Sequence, residues 1–211
     1  MNSSPEISVN ASSERLVARL IDDAARLGVN VTRTDQGIII VDAGVDAKGS
    51  ADAGVLIARI CMDGLGVARR TAFDVSPLWP TYLEVHTSNP VLACRSSQYA
   101  GWSLSATKEQ TGGKKFFSLG SGPARTLAGK EPLFDELGYC DRHDRGALVM
   151  EVDRLPPQVV IDKVLNDCGL APDKLAIAVT PTHSVAGTVQ VVARVVEVAL
   201  HKTNVLGVAL D

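Results

Sequence analysis

The run Leu175-Ala176-Ile177-Ala178-Val179 is apolar throughout. It passes through Thr180-Pro181-Thr182 directly into His183-Ser184-Val185-Ala186-Gly187-Thr188-Val189-Gln190-Val191-Val192-Ala193-Arg194-Val195-Val196-Glu197-Val198-Ala199-Leu200-His201-Lys202. Five consecutive apolar residues ending at a proline corner predict a strand buried on both faces, followed by one long helix. A strand covered on both faces needs helices above and below it, so this stretch points to α/β layers. Four polar residues interrupt the helix, Gln190, Arg194, Glu197 and His201, at spacings of four, three and four. At about 100° per residue they fall within roughly 60° of one another, one narrow polar stripe on an otherwise apolar helix. Arg before Glu opposes the helix dipole, so the pair is a poor helix stabiliser. Two readings stand: a solvated face with an incidental ion pair, or a catalytic carboxylate with an arginine beside it. Most helical charge pairs are structural, and the stripe alone favours the first.

Working outward, strands and helices alternate along most of the chain. Ser13 is a good N-cap for a helix with Leu16, Val17, Leu20, Ile21, Ala24 and Leu27 on its apolar face, closed by Gly28. Val29–Thr34 and Ile38–Val41 read as strands, and Ser50 caps a second helix. Val67–Phe73 and Thr81–Thr87 read as strands around a loop with Pro77, Trp79 and Pro80. Asn89-Pro90 opens a helix to about Tyr99. Trp102–Ala106, Phe116–Leu119 and Ala147–Val152 are further strands, and Pro156-Pro157 starts a helix that Gly169 closes. The expected fold is α/β, with mixed sheets and helices packed in layers. The expected division is a disordered tail over 1–12, a first α/β part over 13–75 and a second over 81–211 that carries the polar helix, with the boundary in the loop at Ser76–Pro80.

The 211 residues are 45% hydrophobic and 21% charged, enough apolar material for a full core. With a net charge of −3, scattered basic residues and only 4% aromatics, the chain offers neither a phosphate-binding field nor a base-stacking platform. Met1–Ser12 has no basic n-region and no apolar h-region, so no secretion signal is expected. No apolar run reaches the length needed to span a bilayer. Cys61, Cys94, Cys140 and Cys168 are widely spaced and do not combine with the four histidines at metal-site spacing, so reduced thiols and no metal are expected.

Three other stretches could carry chemistry. Gly120-Ser121-Gly122-Pro123-Ala124-Arg125 is a strand, a glycine turn and a helix start, where backbone N–H groups can hold an anion or a polar ring. It lacks the lysine of a phosphate-binding loop, and taken alone a tight structural turn is the better reading. Thr180-Pro181-Thr182-His183-Ser184 is a second corner at a strand's carboxyl end, where open α/β sheets bind ligands; ordinary capping by Thr182 or Ser184 is the alternative. Ser97-Gln98-Tyr99-Ala100-Gly101-Trp102 puts polar and aromatic side chains together and could read a heterocycle, or could end a helix with Trp102 in the core. No GxSxG is present, so acid–base chemistry at Arg194 and Glu197 is the best mechanism the residues suggest.

Taken together, Asp42-Ala43-Gly44, Cys94–Trp102, Leu119–Arg125, Leu137-Gly138-Tyr139, Pro181–Gly187 and Gln190–Glu197 resemble, in order, the motifs of the methenyltetrahydromethanopterin cyclohydrolases, the methylotroph-type bacterial branch more than the archaeal one. The resemblance runs from about residue 14 to the C-terminus. It implies a cytoplasmic hydrolase of one-carbon (formaldehyde oxidation) metabolism that opens the methenyl bridge of a tetrahydromethanopterin to the N5-formyl form. It also implies no metal and no separate cofactor, the pterin being the substrate, and two similar α/β parts with a cleft between them in a homo-oligomer, typically a trimer. Arg194 and Glu197 match the family's catalytic pair, Glu197 as general base on water and Arg194 positioning it. Ser97, Gln98, Trp102, Gly120, Ser121, Gly122, Arg125, Thr182, Ser184, Gln190 and His201 are the residues expected to line the substrate. Family chains continue for roughly a third of their length past the equivalent of Leu206-Gly207. The second part is therefore expected to be incomplete, as a fragment or a natural short form. A truncated, non-catalytic pterin-binding or assembly subunit and a folate-specific enzyme are the alternatives.

Overall fold

The computed structural model describes residues 7–72 and 81–208. In chain order the elements are α1 (Val9–Asp22), α2 (Ala24–Leu27), β1 (Asn30–Arg33), β2 (Ile39–Asp42), α3 (Ala51–Cys61), β3 (Gly66–Ala72) and β4 (Thr81–Thr87). A π-helix (Val91–Gln98) follows, then β5 (Trp102–Ala106), α4 (Lys108–Thr111), β6 (Phe116–Ser121), α5 (Ala124–Ala128) and α6 (Pro132–Leu137). The rest is β7 (Gly146–Glu151), α7 (Gln158–Cys168), a 3₁₀ turn (Pro172–Lys174), β8 (Leu175–Val179), α8 (Val185–Val192) and α9 (Val195–Val205).

Six strands form one mixed sheet in the order β1-β2-β8-β7-β6-β5; β3 and β4 form a separate antiparallel pair. The fully buried β8 lies in the middle, parallel to β2 on one side and β7 on the other. Such a strand has no polar face to offer, which is why its five residues are all apolar. One sheet face packs Ile38, Leu148 and Ile177 against α5 and α7. The other packs Val41, Val149 and Ala178 against α1, α3 and α8. The layered α/β arrangement expected from the sequence is thus the one adopted.

The large sheet draws β1 and β2 from residues 13–75 and β5 to β8 from residues 81–211. The loop at 76–80, where the division was placed, and residues 1–6 of the tail lie outside the described residues. Three local expectations need correction. The first helix starts at Val9, not after Ser13: Ser8 is its N-cap, accepting from the Ala11 amide at 3.1 Å, and Ser13 is buried inside the helix. Asn10 explains the earlier start, because its side chain donates to the Pro123 carbonyl and to the Asp141 carboxylate, tying the first turn to the body. The segment after Pro90 is a π-helix rather than an α-helix, with Pro90 itself at its start. The long helix from His183 is broken at Ala193-Arg194 into α8 and α9, with Arg194 at ψ 8° capping the second.

The Asp42-Ala43-Gly44 motif has a structural role. Burial raises the Asp42 pKa, but the amides of Gly44, Asp46, Val45 and Ala47 all donate to its carboxylate and bring the net value below the ordinary one. This ties down the loop leaving β2.

Candidate functional site

Three of the four polar residues of the α8–α9 stretch are buried, His201 is half-buried, and several of the valines face out. Gln190, Arg194 and Glu197 are buried, whereas Val185, Val192, Val195 and Val198 are exposed. The solvated-face reading of the stripe is therefore overturned. The inversion has a direct cause: the interior on this side is lined with groups that satisfy the stripe. Arg194 donates from Nη1 to the Gln98 carbonyl at 2.8 Å and from Nη2 to Ser121 Oγ at 2.9 Å and Gln190 Oε1 at 3.2 Å. Its Nη2 also ion-pairs with Glu151 Oε1 at 2.6 Å, and Gln190 Nε2 donates to the same oxygen at 3.2 Å. Gln98 Nε2 closes the ring by donating to the Ala193 carbonyl at 3.2 Å, holding the break between α8 and α9.

Glu197 differs from the residues around it. It is 5% exposed, yet among the described residues no hydrogen bond or ion pair reaches its carboxylate. The expectation that Arg194 pairs with it is corrected: the guanidinium turns to Glu151 at the end of β7 instead. With Arg194 at the helix break, its side chain runs back toward the sheet rather than along α9. Burial pushes the Glu197 carboxyl above its ordinary pKa, against the pull of Arg194 and Arg125 and with a push from Glu151. An unpaired carboxyl of raised pKa is suited to taking and returning a proton near neutral pH.

Glu197 opens into a cavity of ≈ 340 Å³, which it lines with Arg95, Tyr99, Glu131, Glu136 and His201. Tyr99 and His201 stack there at 4.9 Å, a flat aromatic surface beside the carboxyl. A second cavity of ≈ 290 Å³ lies beside α1 at the amino ends of β7 and β8, bordered by Gly146 and Leu175. The first is the better candidate, because Glu197 and the stacked Tyr99 and His201 line it.

The residues expected to line a substrate divide into four groups. Gln98, Ser121 and Gln190 gather around Arg194, buried behind the cavity, with Ser97 next to Gln98 and bound through its carbonyl to Arg125, and His201 lies on the cavity wall. Gly120 and Trp102 belong to the sheet, and Gly122 to the bend that follows β6. A Cβ on Gly120 would meet Leu148 and Leu104, and Gly122, at φ 103°, faces the Ala147 carbonyl; both glycines make room for protein, and Trp102 is core. Thr182 and Ser184 stand at the corner before α8, where the Ser184 hydroxyl accepts from the Gly187 amide at 3.0 Å, an ordinary N-cap. Arg125 is fully buried behind the wall. It grips both Glu131 oxygens, at 2.9 and 2.5 Å, and donates to the carbonyls of Ser96 and Ser97 at the end of the π-helix. Sequence reading did not single out Glu151, Arg95 or Glu131. Only Glu131, six residues from Arg125, had a local signal.

Cys61 contacts Ser121 Oγ at 3.6 Å, but burial pushes its thiol up to about 11 and excludes a thiolate nucleophile. Among the described residues, no group of three or more His, Cys, Asp or Glu is placed to hold a metal, and no helix is long and apolar enough to cross a membrane.

Asp63 lies beneath the site. It follows α3 at φ 61° and is completely buried, with no well-aligned hydrogen bond to either carboxyl oxygen. Burial holds its carboxyl well above the usual range, against the pull of the Ser97 hydroxyl and the Arg125 charge. A carboxyl whose folded pKa is raised adds stability below its unfolded pKa and loses it as pH rises through the folded one. Asp63→Asn imitates the neutral form and tolerates positive φ. It is expected to stabilise the protein on the order of 1 kcal/mol at pH 8, roughly 2–4 °C in Tm, with the gain vanishing toward pH 4 in thermal melts. A gain independent of pH would remove the charge argument.

Comparison with known proteins converges on one family. The family model described as Cyclohydrolase (MCH) matches residues 8–211. A Methenyltetrahydromethanopterin cyclohydrolase of Methylobacillus flagellatus is 52% identical over 204 residues, covering 97% of this chain and 60% of that protein. The protein of the same name from Xanthobacter autotrophicus is 47% identical over 212 residues, 100% of this chain and 60% of the relative. That from Methanosarcina barkeri is 40% identical over 203 residues, 95% of this chain and 61% of the relative. The chain thus spans about three fifths of the length of the curated relatives it matches.

Proposed function

The chain belongs to the cyclohydrolase family that these matches define, and from that premise we propose that it hydrolyses the methenyl bridge of 5,10-methenyltetrahydromethanopterin to the 5-formyl derivative. The observation that carries the reading at residue level is Glu197, a buried residue whose carboxyl has no partner among the described residues, beside a cavity with a flat aromatic wall. The substrate's bridge carbon is a cationic amidinium. Water adds to it, and in this reading Glu197 takes the proton released as the C–O bond forms. The carboxylate also stabilises the neighbouring positive charge before attack. The neutral carbinol then collapses: its hydroxyl loses a proton, the bond from carbon to N10 breaks, and N10 takes a proton back from Glu197. The N5-formyl product remains and one proton is released to solvent overall.

Arg194 acts in this scheme as a fixed positive charge behind the wall rather than as a clamp on the base. Gln98, Ser121 and Gln190 hold it there, and Ser97 belongs with the scaffold, its carbonyl bound by Arg125. His201 and Arg95 would face the substrate; Trp102, Gly120, Gly122, Arg125, Thr182 and Ser184 build the scaffold. The reading includes the homotrimer and cytoplasmic location implied by family resemblance, and the exposed valines of α8 and α9 are consistent with a covered outer face. No separate cofactor enters the scheme.

The test follows the near-ultraviolet absorbance of the methenyl chromophore with purified protein. Decay of the chromophore above the uncatalysed rate is the expected result. Binding of the pterin without decay would favour a non-catalytic pterin-binding subunit, and turnover of the folate analogue alone would reassign the substrate.

A further inference from the structure

Glu151 is the residue whose geometry the reaction scheme leaves unexplained. It ends β7, its side chain is 17% exposed, and it reaches Arg194 Nη2 at 2.6 Å. Arg194 and Glu197 are three residues apart, a spacing at which helical side chains normally meet. They do not, because the guanidinium is already engaged by Glu151, Gln98, Ser121 and Gln190. We propose that Glu151 is a positioning residue, which holds Arg194 against the sheet and so keeps Glu197 without a partner and able to accept a proton. The proposal deepens the assignment of Glu197 as base and rests on it.

The geometry favours Glu151 over the other charges near Glu197. On the π-helix, Cys94 stays protonated, its thiol pushed by burial up to about 12, and Arg95 turns to Glu136 at 3.6 Å. Arg125 is held by Glu131. His201, on the same helix as Glu197, stacks on Tyr99. β4, which also packs on α9, carries Tyr82, Glu84 and His86, and Glu84 pairs with Arg69 at 2.7 Å. Among the described residues, Arg194 is thus the cation next to Glu197 on its own helix junction, and Glu151 is the one carboxylate within 4.0 Å of it. An arginine cannot shed its proton to escape burial, so without Glu151 its charge must find another anion. Glu197 is within one turn. A Glu197 paired with Arg194 is a weaker base, and Glu151 also raises the Glu197 pKa directly.

The experiment compares Glu151→Gln with wild type in two readouts. The first is the titration of the Glu197 carboxyl in substrate-free protein, by ¹³C NMR of labelled glutamate, with Glu197→Gln identifying the signal. The second is the pH profile of chromophore decay. Glu151→Gln is expected to move the Glu197 titration, and the acid limb of the profile, to lower pH. It is also expected to slow turnover on the order of tenfold at neutral pH, part of the 10²–10⁴ that a general base supplies. A merely structural residue would lower the melting temperature and leave the Glu197 titration in place. A folded Glu151→Gln protein with an unmoved titration would overturn the proposal. Should that variant not fold, Glu151→Asp withdraws the carboxylate by one methylene; a smaller shift in the same direction is expected, and no shift is equally fatal. Because the titration needs no substrate, absence of turnover in wild type would count against the proposed function without deciding this point.

Discussion

Glu197→Gln is expected to lower kcat by about 10²–10⁴-fold while the protein stays folded. The size follows from the loss of a positioned proton acceptor, and the fold is spared because, among the described residues, Glu197 makes no hydrogen bond or ion pair to lose. Replacing a buried, unpaired carboxyl of raised pKa with an amide removes a desolvation cost, so the melting temperature should hold or rise. An interaction made only in the transition state lowers kcat and kcat/KM together. Some rise in KM is also expected, since the carboxylate faces a cationic ring. In wild type the base must be ionised, so activity falls as pH drops through the Glu197 pKa. Burial raises that pKa, and the acid limb should therefore lie above the ordinary carboxylate range. The measurement is the rate of chromophore loss against pH, in wild type and variant. A variant with wild-type turnover would remove Glu197 from the mechanism; an acid limb at or below the ordinary range would show that Arg194 outweighs burial.

The second large effect is on stability. Arg125→Met should destabilise the protein by about 3–5 kcal/mol, because it leaves the carboxylate of Glu131 without its partner in a site where that side chain is only 13% exposed. It also leaves the Ser96 and Ser97 carbonyls at the end of the π-helix without their donor, and removes the guanidinium stacked at 5.4 and 5.3 Å over Tyr99 and Phe134. In a chain of this size the loss corresponds to roughly 10 °C in Tm. The double variant Arg125→Met, Glu131→Leu should recover a substantial part, since replacing both partners leaves no uncompensated charge. Urea titrations of the singles and the double give the coupling. If Arg125 instead contacted substrate, Arg125→Met would raise KM and leave the urea midpoint unchanged.

Much of the framework is legible residue by residue. The five apolar residues of β8 form a strand buried on both faces at the bounds read from sequence, because side-chain burial on two faces admits no polar residue. Ser50 caps α3, and Gly28 and Gly169 end helices at φ 68° and 64°, since these are local choices of backbone and hydrogen bonding. The first helix misled the reading: Ser13 has the right chemistry for a cap, but Asn10 anchors an earlier turn to Asp141, a contact across the molecule that no local rule sees. The π-helix after Pro90 was equally hidden, because the carbonyls at its end are answered by Arg125 from another element.

The same division holds at the site. The sequence by itself determined the family and the α/β layering, and it picked out Arg194 and Glu197 as candidates, because motifs and periodicity are carried by neighbours along the chain. It also implied that the two act as a pair, since three residues on a continuous helix bring side chains together. Only the tertiary structure decided otherwise. The break at Ala193-Arg194 is held by Gln98 and turns the arginine toward the sheet, where Glu151 takes it. Whether the polar stripe faces water or the interior was likewise a question of what lies opposite it. A helix has the same periodicity in either orientation, and the partners that reward burial of charge came from β6, β7 and the π-helix, far away in the chain.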